Sequence, residues 1–96
     1  MPLYIALVDY TDRGMQAVRD SPRRLDAAKA MLAEMGGRFQ AMYMTMGAHD
    51  LVFVYEASDA VAARFTLQLG TLGNVRSTTM KAFPEAAYRE IIASLG

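Results

Sequence analysis

The sequence predicts one α+β domain in which an antiparallel sheet carries helices on one of its faces. Short runs rich in β-branched and aromatic residues alternate with segments of helical periodicity. Apolar residues make up 53% of the 96-residue chain. Area scaling for a chain of this size buries roughly 64% of the unfolded surface, enough for one modest core. A second independent domain is therefore excluded.

The first strand is predicted over residues 3–10, which read LYIALVDY. Pro2 precedes this run and the turn-like residues 11–14 follow it, so both ends are bounded. Residues 13–20 are compatible with a short helical turn.

The first long helix is predicted to start at Ser21-Pro22, with Ser21 as the N-cap and Pro22 at the first helical position. Its apolar stripe, at spacings of three and four, consists of Leu25, Ala28, Leu32 and Met35. Gly36-Gly37 then ends the helix, because glycine tolerates the left-handed conformation of a helix C-terminus.

The second half of the chain predicts two strands, a helix, a strand and a last helix. Strands over 38–46 and 50–56 are joined by a tight hairpin at residues 47–50. Ser58 is the expected N-cap of a helix over 59–69, and residues 74–82 form the fourth strand. Pro84-Glu85 opens a final helix whose apolar residues are Ala87, Tyr88, Ile91, Ile92 and Leu95.

This order, β-α-β-β-α-β followed by a helix, is typical of the ferredoxin-like split βαβ fold with an extra C-terminal helix. Side chains alternate along strands, so parity sorts them between the two sheet faces. The bulkier set is predicted to pack beneath the helices: Leu3, Ile5, Leu7, Met42, Met44, Met46, Leu51, Phe53 and Tyr55. The opposite face is predicted to carry Tyr4, Ala6, Val8, Tyr10, Ala41, Tyr43, Thr45, Asp50, Val52 and Val54, with Ser77, Thr79 and Lys81 from the fourth strand.

The helix-free face is too apolar for bulk water, because it includes Val52 and Val54 where a solvated sheet face would be charged and polar. Cover by a second copy of the chain is the simplest solution. About 500 Å² of apolar area buried per subunit would contribute a gross gain of order 12 kcal/mol before association costs. The sequence therefore predicts a homodimer with sheets face to face, and larger homo-oligomers stay open.

Charge and residue counts exclude several classes of function. Ten basic residues balance ten acidic ones, so no electrostatic footprint for nucleic acid or an anionic membrane is present. The longest apolar run, Leu3 to Val8, is far too short to span a bilayer. With no cysteine and one histidine, no protein-only metal site and no cofactor are expected. The first ten residues lack Lys and Arg, which argues against a signal peptide, and a cytoplasmic location is expected.

Four segments together resemble the GYD domain family, in order and spacing along essentially the whole chain. They are residues 10–14 (YTDRG), 21–29 (SPRRLDAAK), 45–50 (TMGAHD) and 69–76 (LGTLGNVR). The family signature, Gly-any-Tyr-Asp, falls on Gly47, His49 and Asp50, and His49 departs from the usual tyrosine. The resemblance implies a dimeric α+β barrel.

Two hypotheses follow for function. In the first, the dimer binds a small molecule between the open sheet face and the partner subunit. An enzymatic activity that needs no cofactor is compatible with this hypothesis. Asp50 is then the base or polar anchor, Tyr43 and Tyr10 donate hydroxyls, and Lys81 stabilises charge. Further candidate ligand contacts are His49, Thr45 and Tyr4. In the second, the protein is a non-catalytic assembly or ligand-sensing module, and these residues only satisfy interface hydrogen bonds or fix turns.

Overall fold

The computed structural model describes residues 1–96, and it contains four strands and four α-helices. The strands are β1 (Leu3–Tyr10), β2 (Arg38–Met44), β3 (Leu51–Glu56) and β4 (Val75–Ala82). The helices are α1 (Asp12–Gln16), α2 (Ser21–Glu34), α3 (Asp59–Thr71) and α4 (Glu85–Ala93), and a 3₁₀ turn at Val18–Asp20 leads into α2.

The strands form one sheet in the order β2-β3-β1-β4, and every neighbouring pair is antiparallel. The two longest helices, α2 and α3, contribute buried residues to the core on one face of this sheet. The predicted ferredoxin-like α+β fold with an extra C-terminal helix is thus confirmed. The element bounds differ from those predicted by at most two residues, except in the β2–β3 connection.

The core is a single cluster of twelve buried apolar residues with an aromatic centre. Phe65 of α3 meets the rings of Tyr55 and Phe39 edge-on, with ring centroids 5.3 and 6.1 Å apart. Edge-to-face geometry adds to the stabilisation that burial provides. The Tyr55 hydroxyl is buried without a hydrogen-bond partner. Burial raises the pKa of Tyr55 above the usual tyrosine value.

The predicted faces of β1 and β4 were wrong. Tyr4, Ala6 and Val8 are buried beneath the helices, whereas Leu3, Ile5 and Leu7 lie on the open face. Both parity sets of β1 are apolar, so alternation alone did not distinguish them. The structure places small Ala6 directly beside bulky Phe53 on β3, which fits both under the helices. Because the register pairs β4 with β1, the residues Tyr10, Ser77, Thr79 and Lys81 also lie on the helix side.

The tight β2–β3 hairpin was also wrong. The strands are joined by six residues, 45–50, and Met44 pairs with Leu51. The pairing of the two strands is therefore shifted by two residues from the prediction. A shift of two keeps each side chain on its predicted face of the sheet, so Met42 pairs with Phe53 and packs against the core. Two of the expected core methionines are exposed: Met44 is the last residue of the edge strand β2, and Met46 lies in the loop that follows it.

Of the two predicted serine N-caps, one was correct and one was not. The Ser58 hydroxyl caps α3 by accepting a hydrogen bond from the Val61 amide at 3.2 Å. At α2 the preceding 3₁₀ turn shifts the N-cap to Asp20, so Ser21 is already helical. The Ser21 hydroxyl instead pairs with the hydroxyl of Tyr10 at 2.8 Å.

The chain exposes more surface than a closed domain of its size. Its accessible area is 6415 Å², against roughly 5,500 Å² expected from the mass. Its radius of gyration is 14.6 Å, against about 12.5 Å for a compact domain of 96 residues. Two features account for the excess, an uncovered sheet face and the helix α4, which makes no extended packing with any other element.

Gly14 of α1 lies against the chain that enters β4, where a side chain would not fit. A Cβ at this position would approach the Asn74 carbonyl oxygen to 2.0 Å. Thr11 ties the same two segments together, because its amide donates to Asn74 O at 3.1 Å and its hydroxyl to Gly73 O at 2.7 Å.

We predict that Gly14→Ala lowers the free energy of unfolding by ~1–3 kcal/mol, because the backbone must move apart to admit the methyl group. Gly70→Ala is the matched control, since a Cβ there meets nothing within 4 Å and the residue is helical. That control should be neutral or slightly stabilising. Urea unfolding followed by circular dichroism compares the two, and equal midpoints would contradict the close approach.

Candidate binding surface

The most extensive uncovered surface is the side of the sheet that faces away from α2 and α3, here called the open face. The central part of the open face is apolar, and its half-buried members are Leu3, Ile5, Leu7, Ala41, Val52, Val54 and Ala82. Two larger side chains on this face are exposed, Tyr43 to 61% and Met80 to 43%. A contiguous apolar patch of this kind marks an interaction site on a folded protein.

Charged residues border the apolar centre at both ends of the strands. At one end the His49 Nδ1 atom lies 3.1 Å from an Asp9 carboxylate oxygen, and Arg76 is the register partner of Asp9 on β4. At the other end Arg38 on β2 pairs with Glu56 on β3 at 3.2 Å. The open face thus has an apolar centre and a polar rim, the pattern found at protein interfaces.

Asp50, the residue predicted to be the base, is occupied with strand-end hydrogen bonds. Its carboxylate accepts from the Tyr10 amide at 2.9 Å, and its own amide donates to the Val8 carbonyl at 3.0 Å. Thr45 completes this end of the sheet, because its amide donates to Asp50 O at 2.8 Å and its hydroxyl to His49 O at 2.5 Å. These contacts hold the 45–50 loop against β1, which is the turn-fixing alternative considered for Asp50.

Two other candidate residues, Tyr4 and Lys81, meet near the opposite ends of β1 and β4, beside the start of α3. The Tyr4 hydroxyl donates to the Asp59 carboxylate, and the Lys81 ammonium lies 3.1 Å from the same group. The hydrogen bond to Asp59 raises the pKa of Tyr4 to about 12. The same bond, followed by that from Lys81, lowers the pKa of the Asp59 carboxyl.

The seven predicted site residues therefore do not form one site. Tyr4 and Lys81 lie near the start of β1 on the helix side, and the Tyr10 side chain lies on the same side near the other end. Asp50, Thr45 and His49 share the 45–50 loop, and Tyr43 projects from the open face. Their catalytic and ligand-binding roles stay predictions. The sequence analysis missed two residues, Asp9 and Asp59. Assigning alternate residues of β1 to the correct faces of the sheet would have placed Asp9 beside the open face.

The C-terminal helix provides a second exposed apolar surface. Tyr88, Ile91 and Ile92 of α4 form one stripe at spacings of three and four, and Leu95, just beyond the end of the helix, extends this stripe. Each is exposed by 46% or more, as is Phe83 just before the helix. We call these five residues the α4 stripe. A helix with an apolar stripe and no packing partner within its chain is a surface made for contact with another molecule.

We predict that Asp59→Asn lowers the pKa of Tyr4 from about 12 towards the ordinary tyrosine value near 10. A raised tyrosine pKa favours folding below pH 10, and this contribution is lost as the pH rises towards 12. The lowered Asp59 pKa favours folding above about pH 4 and is lost as the pH falls below that value. Ultraviolet titration of tyrosine ionisation, compared with Tyr4→Phe, gives the shift.

Asp20→Asn is the matched control, since Asp20 is an exposed carboxylate paired only with Arg23. It should leave the tyrosine titration unchanged. A titration in Asp59→Asn that superimposes on the parent curve would contradict the assignment.

No helix of the chain combines the length and apolarity needed to cross a membrane. No group of three or more His, Asp or Glu side chains is arranged to hold a metal ion.

Comparison with known proteins identifies the family of this chain. A family model described as the GYD domain matches residues 4–92. A protein of Thermus thermophilus, named glutamine synthetase and cystathionine beta-lyase binding protein, is 36% identical over 97 residues. The alignment covers 99% of this chain and 99% of that relative. The chain therefore belongs to the GYD domain family.

Proposed function

We propose that the protein is a homodimeric, non-catalytic binding protein that docks onto other proteins in the cytoplasm. The observation that carries this proposal is the exposure of the apolar open face together with the α4 stripe. Nothing in a single chain covers either surface. A second copy placed by two-fold symmetry offers each surface a matching partner.

The areas support a dimer that uses both surfaces. We take about 500 Å² of apolar area per subunit for the open face, which is below the roughly 800 Å² per partner of a standard interface. The α4 stripe adds about as much again, because its five large side chains are exposed by 46% to 76% and a fully exposed aromatic side chain offers about 150–250 Å². The excess of about 900 Å² over the area expected for this mass is of the same size. Burial of both surfaces in a dimer would lower the accessible area of each chain to about the value expected for its mass.

The wider binding role is supported by the relative. Its name describes binding to glutamine synthetase and to cystathionine beta-lyase, and its chain aligns with this one end to end. We propose that the dimer of the present chain binds enzymes of the same two kinds. The binding surface would lie on the outer, helical side of the dimer, because the open faces are used between the two copies.

We predict a dimer at micromolar concentration that Val54→Glu converts to a folded monomer. Val54 lies in the middle of the open face, between Ile5 and Ala41, so its carboxylate would be buried without a counter-ion in the dimer. Ile92→Glu in the α4 stripe should weaken dimerisation by at least tenfold. Analytical ultracentrifugation measures both effects.

Matched controls place the same charge on surfaces outside the proposed interface. Ala30→Glu on α2 and Ala93→Glu on α4 are both exposed positions, and both variants should remain dimers. Far-ultraviolet circular dichroism establishes that every variant is folded. A parent protein that sediments as a monomer at 100 µM, or a dimeric Val54→Glu variant, would overturn the proposed interface.

The partner role is tested with purified enzymes. We predict that the parent dimer, immobilised on a surface, binds glutamine synthetase or cystathionine beta-lyase from the same source organism, and that monomeric Val54→Glu binds at least tenfold more weakly because avidity is lost. Surface plasmon resonance measures the affinities. Absence of binding to both enzymes, with a dimer confirmed, would reject this partner class and leave the assembly intact.

A second candidate is small-molecule binding between the open face and the partner subunit, favoured by the Asp9–His49 pair at the edge of that face. In this version Tyr43 and His49 contact the ligand, while Asp50, Thr45 and Tyr10 hold the loop in place. Native mass spectrometry of the purified dimer tests it. A non-protein mass retained by the dimer and lost in Tyr43→Ala supports this candidate, and a ligand-free spectrum counts against it.

A further inference from the structure

A cavity of about 280 Å³ lies on the helix side of the sheet, opposite to the open face. Leu25 and Met31 of α2, Phe53 of β3 and Leu69 of α3 line its interior. Ala28 of α2 also faces it, and this small side chain leaves space that a larger one would fill. An apolar cavity of about 150 Å³ is already large enough to bind benzene, so this one has room for a larger guest.

The mouth of the cavity is basic and has no acidic residue. Arg13 and Arg24 both line it, and neither forms an ion pair. Arg24 is held in place by hydrogen bonds to Ala17 O at 2.9 Å and Gly14 O at 3.2 Å, which leave further guanidinium N–H donors free. The hydroxyls of Tyr10 and Ser21, hydrogen-bonded to each other, also border the space.

We propose that this cavity binds a small amphipathic carboxylate, with its hydrocarbon or aryl body inside and its carboxylate at Arg13 and Arg24. At about 30 Å³ per water-sized unit, the volume admits a ligand of about ten non-hydrogen atoms. The apolar lining excludes a polar body such as a sugar, because its hydroxyls would be buried without partners. The guanidinium groups favour an anionic head over a neutral one, since they offer charge-assisted hydrogen bonds.

This site is independent of the proposed dimer. All of its lining residues belong to one chain, and they lie on the face of the sheet opposite to Val54. The monomeric Val54→Glu variant should therefore bind the carboxylate as the parent does. This separates the present site from a ligand held between open faces, which the monomer would lose.

Isothermal titration calorimetry with octanoate tests the site, with octanol as the uncharged probe of similar length. We expect saturable binding of one octanoate per chain and at least tenfold weaker binding of octanol. Arg13→Gln should weaken octanoate binding about tenfold, the effect of losing a charged hydrogen bond. Arg23→Gln is the control, because Arg23 is exposed on the same side and pairs with Asp20 away from the cavity.

A substitution that fills the cavity provides a second test, in which ligand binding is lost while stability is kept or raised. Ala28→Leu should abolish octanoate binding while keeping or raising the melting temperature, because the added methyl groups occupy vacant apolar space. Ala30→Leu adds the same groups on the exposed side of α2 and should leave octanoate binding unchanged. The proposal is overturned if octanoate fails to bind, if octanol binds equally well, or if folded Ala28→Leu binds octanoate like the parent. Should Ala28→Leu not fold, the Arg13→Gln and octanol measurements decide.

Discussion

A four-stranded sheet has two faces to cover, and this chain places its two packed helices on only one of them. The aromatic cluster around Phe65 is formed where α3 meets β2 and β3. The other face holds leucine, isoleucine and valine side chains with no element of the same chain above them. Because water is a poor solvent for such a surface, the proposed dimer would stabilise the chain by covering it. The α4 stripe is a second apolar surface that no element of the same chain covers.

Polar groups are concentrated where the strands end. Most of them form hydrogen bonds or ion pairs that hold the structure together, so few are free to bind a ligand. Asp50 accepts the Tyr10 amide, and Thr45 bonds the backbone on both sides of the 45–50 loop. Tyr4 and Lys81 converge on Asp59 and join β1 and β4 to the first turn of α3. Two charged pairs at the border of the open face, Asp9–His49 and Arg38–Glu56, remain accessible on the surface that the proposed dimer would close.

The order of elements was predictable from sequence, because Gly36, Ser58 and the alternation of apolar periodicities mark the boundaries chemically. The sidedness of β1 was not, since Leu3-Ile5-Leu7 and Tyr4-Ala6-Val8 are both apolar and tertiary packing selects between them. Because each residue of β4 lies on the same face as its partner in β1, the orientation of β1 also fixes that of β4. Tyr4, Tyr10 and Lys81 therefore lie on the helix side. The apolar character of the open face survived the exchange, because β1 contributes aliphatic side chains whichever way it faces.

The position of β1 in the sheet has a consequence for the biosynthesis of the chain. β1 precedes both of its neighbours in the sheet, β3 and β4, along the chain. This aliphatic strand therefore has no neighbour to pair with until at least the residues of β3, Leu51–Glu56, have been translated. During that interval its backbone donors and acceptors are open to other nascent chains.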